Sequence, residues 1–373
     1  MRKKKLVYII SKVDKSLAFE WLAASDLQKR IELNFILLNP GESYLETFLK
    51  QKNIPVTLVK YSGKKSMARA FTQVFFKLIK LRADVVHAHF LDANLVGISA
   101  AFLARVPRRI YTRHHSSFHH FYFPKGVYYD MLVNYMSTKI VAISKVVHQI
   151  LVEKERVSES KISLIHHGFH LNLFENVDNS RIEEVRKRNK VPEHSYPLLG
   201  VIARFEDWKG IQFIVPAFRK LLENYPEAHL ILANANGVYE GEVDKLLATL
   251  PEKSFTKIRF EYDIPALYKL FDVYVHTPVN NHSEAFGQTY VEALASRVPS
   301  IFTASGVATE FIENEVNALV VDYQNSGQIY DAVIRLLEND QLRENLKGNG
   351  YASVKKRFEL QKMVDSLTQL YLS

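Results

Sequence analysis

The sequence contains no cysteine, which excludes disulfides and thiolate metal sites and suits a cytoplasmic setting. No stretch approaches the roughly 20 apolar residues needed to cross a bilayer, so a membrane-spanning chain is not expected. Low-complexity tracts are missing as well, and no Asp-x-Asp occurs anywhere. The opening Met1-Arg2-Lys3-Lys4-Lys5 imitates the basic end of a signal peptide, but the run Leu6 to Ile10 is shorter than an export core and no small-residue cleavage site follows. A first β-strand is the better reading.

What is present is a 373-residue chain, 47% hydrophobic and 24% charged, the composition of a soluble globular protein of two ordinary domains. Its net charge of +9 is uneven. Residues 1–175 hold 27 Lys+Arg against 13 Asp+Glu, and the remainder 22 against 27, hence +14 and −5. A basic half favours an anionic partner such as a phosphorylated acceptor or an acidic lipid; the plain alternative is that its lysines serve solubility. Nucleic acid is set aside, because the basic and aromatic residues form no recognisable module.

Short β-branched and aromatic runs alternate with helix-length segments, the pattern of parallel sheets wrapped by helices. Strands are expected near Leu6–Ile10, Leu33–Leu38, Val56–Val59, Val85–Ala88, Ile110–Thr112, Ile140–Ile143 and Ser163–Ile165. In the second half they are expected near Leu198–Ala203, Ala228–Ala233, Ile258–Glu261, Val273–His276, Ser300–Phe302 and Ala318–Val321. The reading is α/β: a first Rossmann-like domain over 1–175, a polar linker over 176–196 containing Pro192, and a second Rossmann-like domain over 197–357. A final helix, 358–373, would pack back on the first domain. Two doubly wound units facing one another would make a ligand cleft at the carboxyl ends of their strands.

The motifs lie just after strands. Behind Val273–His276 comes a polar loop leading to Glu284-Ala285-Phe286-Gly287-Gln288-Thr289-Tyr290-Val291-Glu292, with a helix expected to start near Gly287. Backbone amides of Phe286, Gly287, Gln288 and Thr289 at that helix start would offer donors and a positive dipole end to an anion. Carboxylates eight positions apart on one helix would lie about 12 Å apart along its axis, too far for an acid/base pair. Glu284 and Glu292 instead flank the amides, one toward each end of an extended ligand such as a nucleotide sugar. The loop after Leu198–Ala203 supplies cations: Arg204 can fork two phosphate oxygens, and Lys209 adds a point charge.

On these residues the chain resembles a retaining glycosyltransferase of family 4, whose two-domain fold is called GT-B, over nearly its whole length. The resemblance implies that Glu284 contacts the donor sugar's hydroxyls, Glu292 the ribose, and Arg204 and Lys209 the diphosphate. Thr112-Arg113-His114 matches a family segment whose histidine reaches the donor sugar across the cleft, and Glu310 matches an acidic residue before a late helix. Lys12, His89 and His115 are the candidates for lining the acceptor cleft. Three departures concern shape. The loop Ser11 to Ser16 lacks the family's paired glycines, His167-Gly168 replaces an Asn-Gly, and Asn234-Ala235-Asn236-Gly237 replaces a Gly-x-Gly.

The implied reaction is transfer of a sugar, with retention, from a UDP- or GDP-sugar to a glycan or lipid-linked acceptor in cell-envelope polysaccharide or glycolipid assembly. No cofactor and no metal is expected, since Arg204, Lys209 and helix amides would replace the ion that an Asp-x-Asp holds. The cluster His114, His115, His119, His120 invites a metal, but no carboxylate lies close in sequence. Arg69 to Arg82 reads as an ordinary amphipathic helix, or alternatively as a helix lying on an anionic membrane on the inner face of the plasma membrane. Two rival functions share the architecture: a nucleotide-sugar 2-epimerase, which would convert donor without acceptor, and a non-catalytic binder, which would never turn over.

Overall fold

The computed structural model describes residues 2–373. The described residues divide into two compact units, one of residues 2–169 with 360–373 and one of residues 170–359. The first holds seven parallel strands: β1 Lys5–Ser11, β2 Glu32–Asn39, β3 Val56–Lys60, β4 Val85–His89, β5 Arg108–Arg113, β6 Lys139–Ala142 and β7 Ile162–Leu164, in the order β3-β2-β1-β4-β5-β6-β7. Central strand β1 is apolar over Leu6–Ile10, all fully buried, because helices cover both faces of a parallel sheet. Each such aliphatic contributes about 1.5–3 kcal/mol of transfer free energy.

The closing helix Leu360–Leu372 shows why the end of the chain belongs to this unit. Leu360, Val364, Leu367 and Tyr371 recur at helical spacing and join the core of β1 and β2. The Tyr371 hydroxyl lies 2.6 Å from Nδ1 of His87 and 2.5 Å from the Tyr8 hydroxyl, so buried polar groups find partners there. Gly168 makes room for the docking, since a Cβ would meet the Leu360 Cα at 2.8 Å.

The second unit repeats the plan with six parallel strands: β8 Leu198–Ile202, β9 His229–Ala233, β10 Phe255–Ile258, β11 Val273–His276, β12 Ser300–Phe302 and β13 Leu319–Val320, ordered β10-β9-β8-β11-β12-β13. The expected doubly wound α/β architecture is present in both units. One strand is displaced: β10 lies three residues before the expected Ile258–Glu261. Ile258 and Phe260 alternate like strand residues, but Phe260 is 62% exposed, and it is Phe255–Ile258 that pairs with β9. Within 176–196 the chain forms the helix Asn179–Arg188, tied to the second unit by Arg188 on Glu261 at 2.6 Å. No helix among the described residues is long and apolar enough to cross a membrane.

In each sheet the chain runs outward one way from its first strand, then returns to the other side. The order therefore reverses between β1 and β4 and again between β8 and β11. At such switch points the loops on either side diverge and leave a crevice at the carboxyl ends of the strands.

Candidate active site

The crevice of the second unit lies between the loop after β8 and the loop after β11. Two close backbone approaches fix it. Gly210, at φ 77°, sits where a Cβ would fall 1.8 Å from the Thr277 carbonyl oxygen, and the Val279 amide donates to the Trp208 carbonyl at 3.1 Å. Only glycine allows both that contact and that left-handed backbone. The loops so joined bring together residues 75 positions apart: Lys209 Nζ donates to Glu284 Oε1 at 2.5 Å. His276, the last residue of β11, lies under the pair with Nε2 3.2 Å from the same oxygen.

The surroundings set the titration of Glu284 and His276. Burial alone would push the Glu284 carboxyl up, but Lys209 and His276 more than reverse this and hold it well below the usual carboxylate range. Burial also lowers His276, against a smaller opposing pull from Glu284. The Glu284 amide donates to Ser305 Oγ at 3.0 Å, and Gly306, at φ 57°, lets the next loop press against the Glu284 Cβ. Glu310 ends that turn, half-buried. Arg204, 58% exposed, has a 3.5 Å contact with Glu206, and its exposure leaves it open to a solvent-borne anion.

The helix expected near Gly287 spans Gln288–Ala295, with Gly287 left-handed at φ 85° and no side chain capping it. Its first-turn amides, Gln288 and Thr289 among them, have no acceptor within the helix. The Phe286 side chain is turned into the core against Phe358, so only its backbone is offered at the crevice. Two turns along, Glu292 accepts from the Tyr268 hydroxyl at 3.1 Å, and burial, against the pull of that hydrogen bond, raises its carboxyl to about 7. The two glutamates thus occupy opposite electrostatic settings, one held ionised by its ion pair and one whose charged form is disfavoured by burial. His276, Ser305 and Tyr268 were not singled out by sequence reasoning. His276 alone carried a signal, as a polar residue closing an apolar strand.

In the first unit, β1 and β4 lead to Lys12 and Asp92, paired at 2.8 Å with the lysine 57% exposed. The loop without glycines still needs a left-handed residue, and Lys12 supplies it at φ 56°. Non-glycine residues pay about 1 kcal/mol for this. Lys12 also lines a cavity of about 400 Å³ with Asp14, Asn39, Gly41 and Tyr61. His89 Nδ1 lies 3.0 Å from His114 Nε2, and burial first, neighbouring histidines second, keep both rings neutral.

The remaining histidines do have a carboxylate, supplied by the tertiary fold rather than by sequence proximity. His115, His119 and Asp130 converge closely enough to hold a metal ion, with His119 Nδ1 2.6 Å and His115 Nε2 3.5 Å from Asp130. The fully buried Arg113 lies 3.0 Å from the same carboxylate and also pairs with Glu155. The guanidinium already offsets one of the two carboxylate charges there, so an added cation would compete with Arg113 for Asp130.

Residues 182–353 match the family model described as Glycosyl transferases group 1, and residues 24–173 the one described as Glycosyltransferase Family 4. The capsular polysaccharide biosynthesis glycosyltransferase CapM of Staphylococcus aureus is 24% identical, over 87% of this chain and 91% of its own. The alpha-monoglucosyldiacylglycerol synthase of Acholeplasma laidlawii is 23% identical over 75% and 73%. In fold, the chain is similar to Anabaena Alr3699/HepE in complex with UDP and glucose, with a TM-score of 0.83 and 21% identity over 98% of this chain and 99% of that one.

Proposed function

From the premise that this chain is a GT-B glycosyltransferase related to the group 1 and family 4 glycosyltransferases, acting on nucleotide-diphosphate-sugar donors, we propose that the crevice between β8 and β11 is where it binds and activates the donor. The observation that carries this reading is the buried Lys209–Glu284 pair beside an uncapped helix start. It places a cation, amide donors and a carboxylate within one small volume, as a diphosphate with a sugar attached requires.

In this reading Arg204, Lys209 and the amides of Gly287, Gln288 and Thr289 take the diphosphate. Glu284 accepts from the sugar hydroxyls and Glu292 from the ribose; Glu310 lies beside the Glu284 loop. A UDP-sugar is favoured by the UDP-glucose complex of the Anabaena fold relative. The acceptor hydroxyl attacks the anomeric carbon from the face the diphosphate leaves, so configuration is retained. The carbon–phosphate-oxygen bond breaks, the new glycosidic bond forms, and the leaving phosphate takes the acceptor's proton. Lys209 and Arg204 stabilise the charge that builds on that phosphate, so the scheme uses no metal. His114 is assigned a sugar hydroxyl by resemblance alone, and a neutral imidazole suits that task.

The acceptor is a glycan or lipid-linked saccharide, with Lys12, His89 and His115 as lining candidates. Its use in envelope polysaccharide or glycolipid assembly, at the inner membrane face, is favoured by CapM, by the lipid-glycosylating relative and by the basic first half. A panel of nucleotide sugars, assayed for release of nucleoside diphosphate with and without acceptor saccharides, tests the reading. Acceptor-dependent release with a retained anomeric centre is expected. Conversion of the donor to its epimer without acceptor would overturn it.

A further inference from the structure

The helix Pro124–Met136 is built inside out. Its buried residues include Asp130 and Asn134, tied to Arg113 and Glu155, whereas Tyr128, Met131, Leu132 and Tyr135 are 74%, 51%, 49% and 74% exposed. Those four positions fall at i, i+3, i+4 and i+7, a single outward stripe. The stripe continues onto the helix Ser99–Leu103, where Phe102 and Leu103 are exposed and the Phe102 ring lies 6.5 Å from that of Tyr135. A contiguous exposed apolar patch of this kind marks an interaction surface.

The charge around it selects the partner. Between residues 93 and 152 the only acidic residue is Asp130, which is buried, while Arg105 and Lys125 are exposed; the exposed Glu153 and Glu159 lie just beyond that segment. Arg109 lies 5.4 Å from the Phe102 ring, held by the carbonyls of Met136 and Val106, and Lys161 donates to the carbonyls of Asn134 and Tyr135. A second copy seated on this patch would press two cationic rims together. Anionic lipid headgroups complement the rim, and tyrosine, leucine and methionine suit the boundary between headgroup and acyl chain.

We propose that this surface seats the protein on an anionic bilayer, with Tyr128, Met131, Leu132, Tyr135 and Leu103 entering the boundary and Arg105, Lys125 and Lys161 meeting phosphate headgroups. The proposal rests on the peripheral-membrane reading above and deepens it by relocating the contact. The helix Met67–Leu81 is the weaker candidate: it buries Ala70, Val74 and Leu78 in the ordinary way and shows a mixed face of Arg69, Thr72, Gln73, Phe76, Ile79 and Lys80.

Flotation of the whole protein with vesicles tests it, comparing phosphatidylglycerol mixed with phosphatidylcholine against phosphatidylcholine alone. The wild type floats with the anionic vesicles only. A Tyr128→Ser/Leu132→Ser/Tyr135→Ser variant loses at least about tenfold in partitioning. Arg105→Gln/Lys125→Gln loses the salt-sensitive part, and Phe76→Ser floats normally. Donor binding by calorimetry stays unchanged in all of them, which keeps unfolding and any failure of the donor site separate. Undiminished flotation of the triple variant overturns the location and spares the peripheral reading, whereas absence of wild-type flotation overturns both. A wild-type dimer that the triple variant makes monomeric, without vesicle binding, assigns the patch to a second copy and likewise overturns the proposal.

Discussion

Both units bridge their switch point with a lysine from the first strand's loop and a carboxylate from the fourth strand's loop, Lys12–Asp92 in one and Lys209–Glu284 in the other, yet the two pairs live in different solvents. The Lys12 side chain is 57% exposed, the Lys209 side chain 18%. The difference follows from what comes next in the chain. After Lys209, Gly210 locks the loop against Thr277 and a helix begins at once at Ile211, whereas after Lys12 the loop runs on to a helix at Leu17. Topology fixes where a site can form. The tightness of the loop decides whether its charges are dry enough to have strong effects, since attraction between charges and their cost of burial both grow as water leaves.

The sharpest way to break this comparison is to remove the lysines one at a time. Lys209→Ala or Glu284→Ala is expected to cut sugar transfer by at least about 10³-fold, roughly 4 kcal/mol of transition-state stabilisation, while Lys12→Ala costs less than about tenfold. Steady-state rates of nucleoside diphosphate release measure both, and equal losses would erase the distinction drawn between the crevices.

Next in size is the loop itself. Gly210→Ala must move the Thr277 carbonyl and abandon a left-handed backbone, and should lose about 2–4 kcal/mol of stability in chemical denaturation. Gly41→Ala, beside the first-unit cavity, meets nothing within 4 Å and should stay within about 0.5 kcal/mol of wild type.

A third, smaller effect separates the two glutamates by pH. The Glu292 carboxyl, raised from 4.5 to about 7, stabilises the fold while protonated; that contribution is whole below about 4.5 and is lost as pH rises through about 7. Glu292→Gln should therefore melt above wild type near pH 8 and level with it near pH 4, to within the precision of thermal scans. Donor affinity should run the other way in the wild type, weakening as pH falls below about 7, because a neutral carboxyl accepts poorly from the ribose hydroxyls. Glu284, depressed by Lys209 and His276 against its burial, contributes stability above about 4.5 that is lost on acidification, and Glu284→Gln should flatten that acid limb.

The smallest expected effect is on stability in the first unit. Lys12→Ala should change it by under about 1 kcal/mol, with the difference fading in high salt, as for any wet ion pair.

Much of this was legible in the sequence. Parallel strands buried on both faces read as apolar runs, so Leu6–Ile10 and Val273–His276 could be placed almost to the residue, and the stop at Phe286-Gly287 announced a helix start. The displaced β10 marks the limit of that signal, since the alternation of Ile258 and Phe260 does not tell a paired strand from a wet loop. Loops after strands could be read as candidate sites because their polar residues interrupt the apolar pattern.

The sequence by itself determined the repeated doubly wound plan and nominated Arg204, Lys209, Glu284 and Glu292 as site candidates, because periodicity and loop chemistry are local properties. Only the tertiary structure decided that Lys209 meets Glu284, that burial raises the Glu292 carboxyl against the opposing pull of the Tyr268 hydroxyl, that Arg113 claims Asp130, and that the helix Pro124–Met136 turns its aromatic side outward. Each of these depends on which strands become neighbours and on how much water their meeting expels. Both are settled by long-range packing, which leaves no trace in the spacing of residues along the chain.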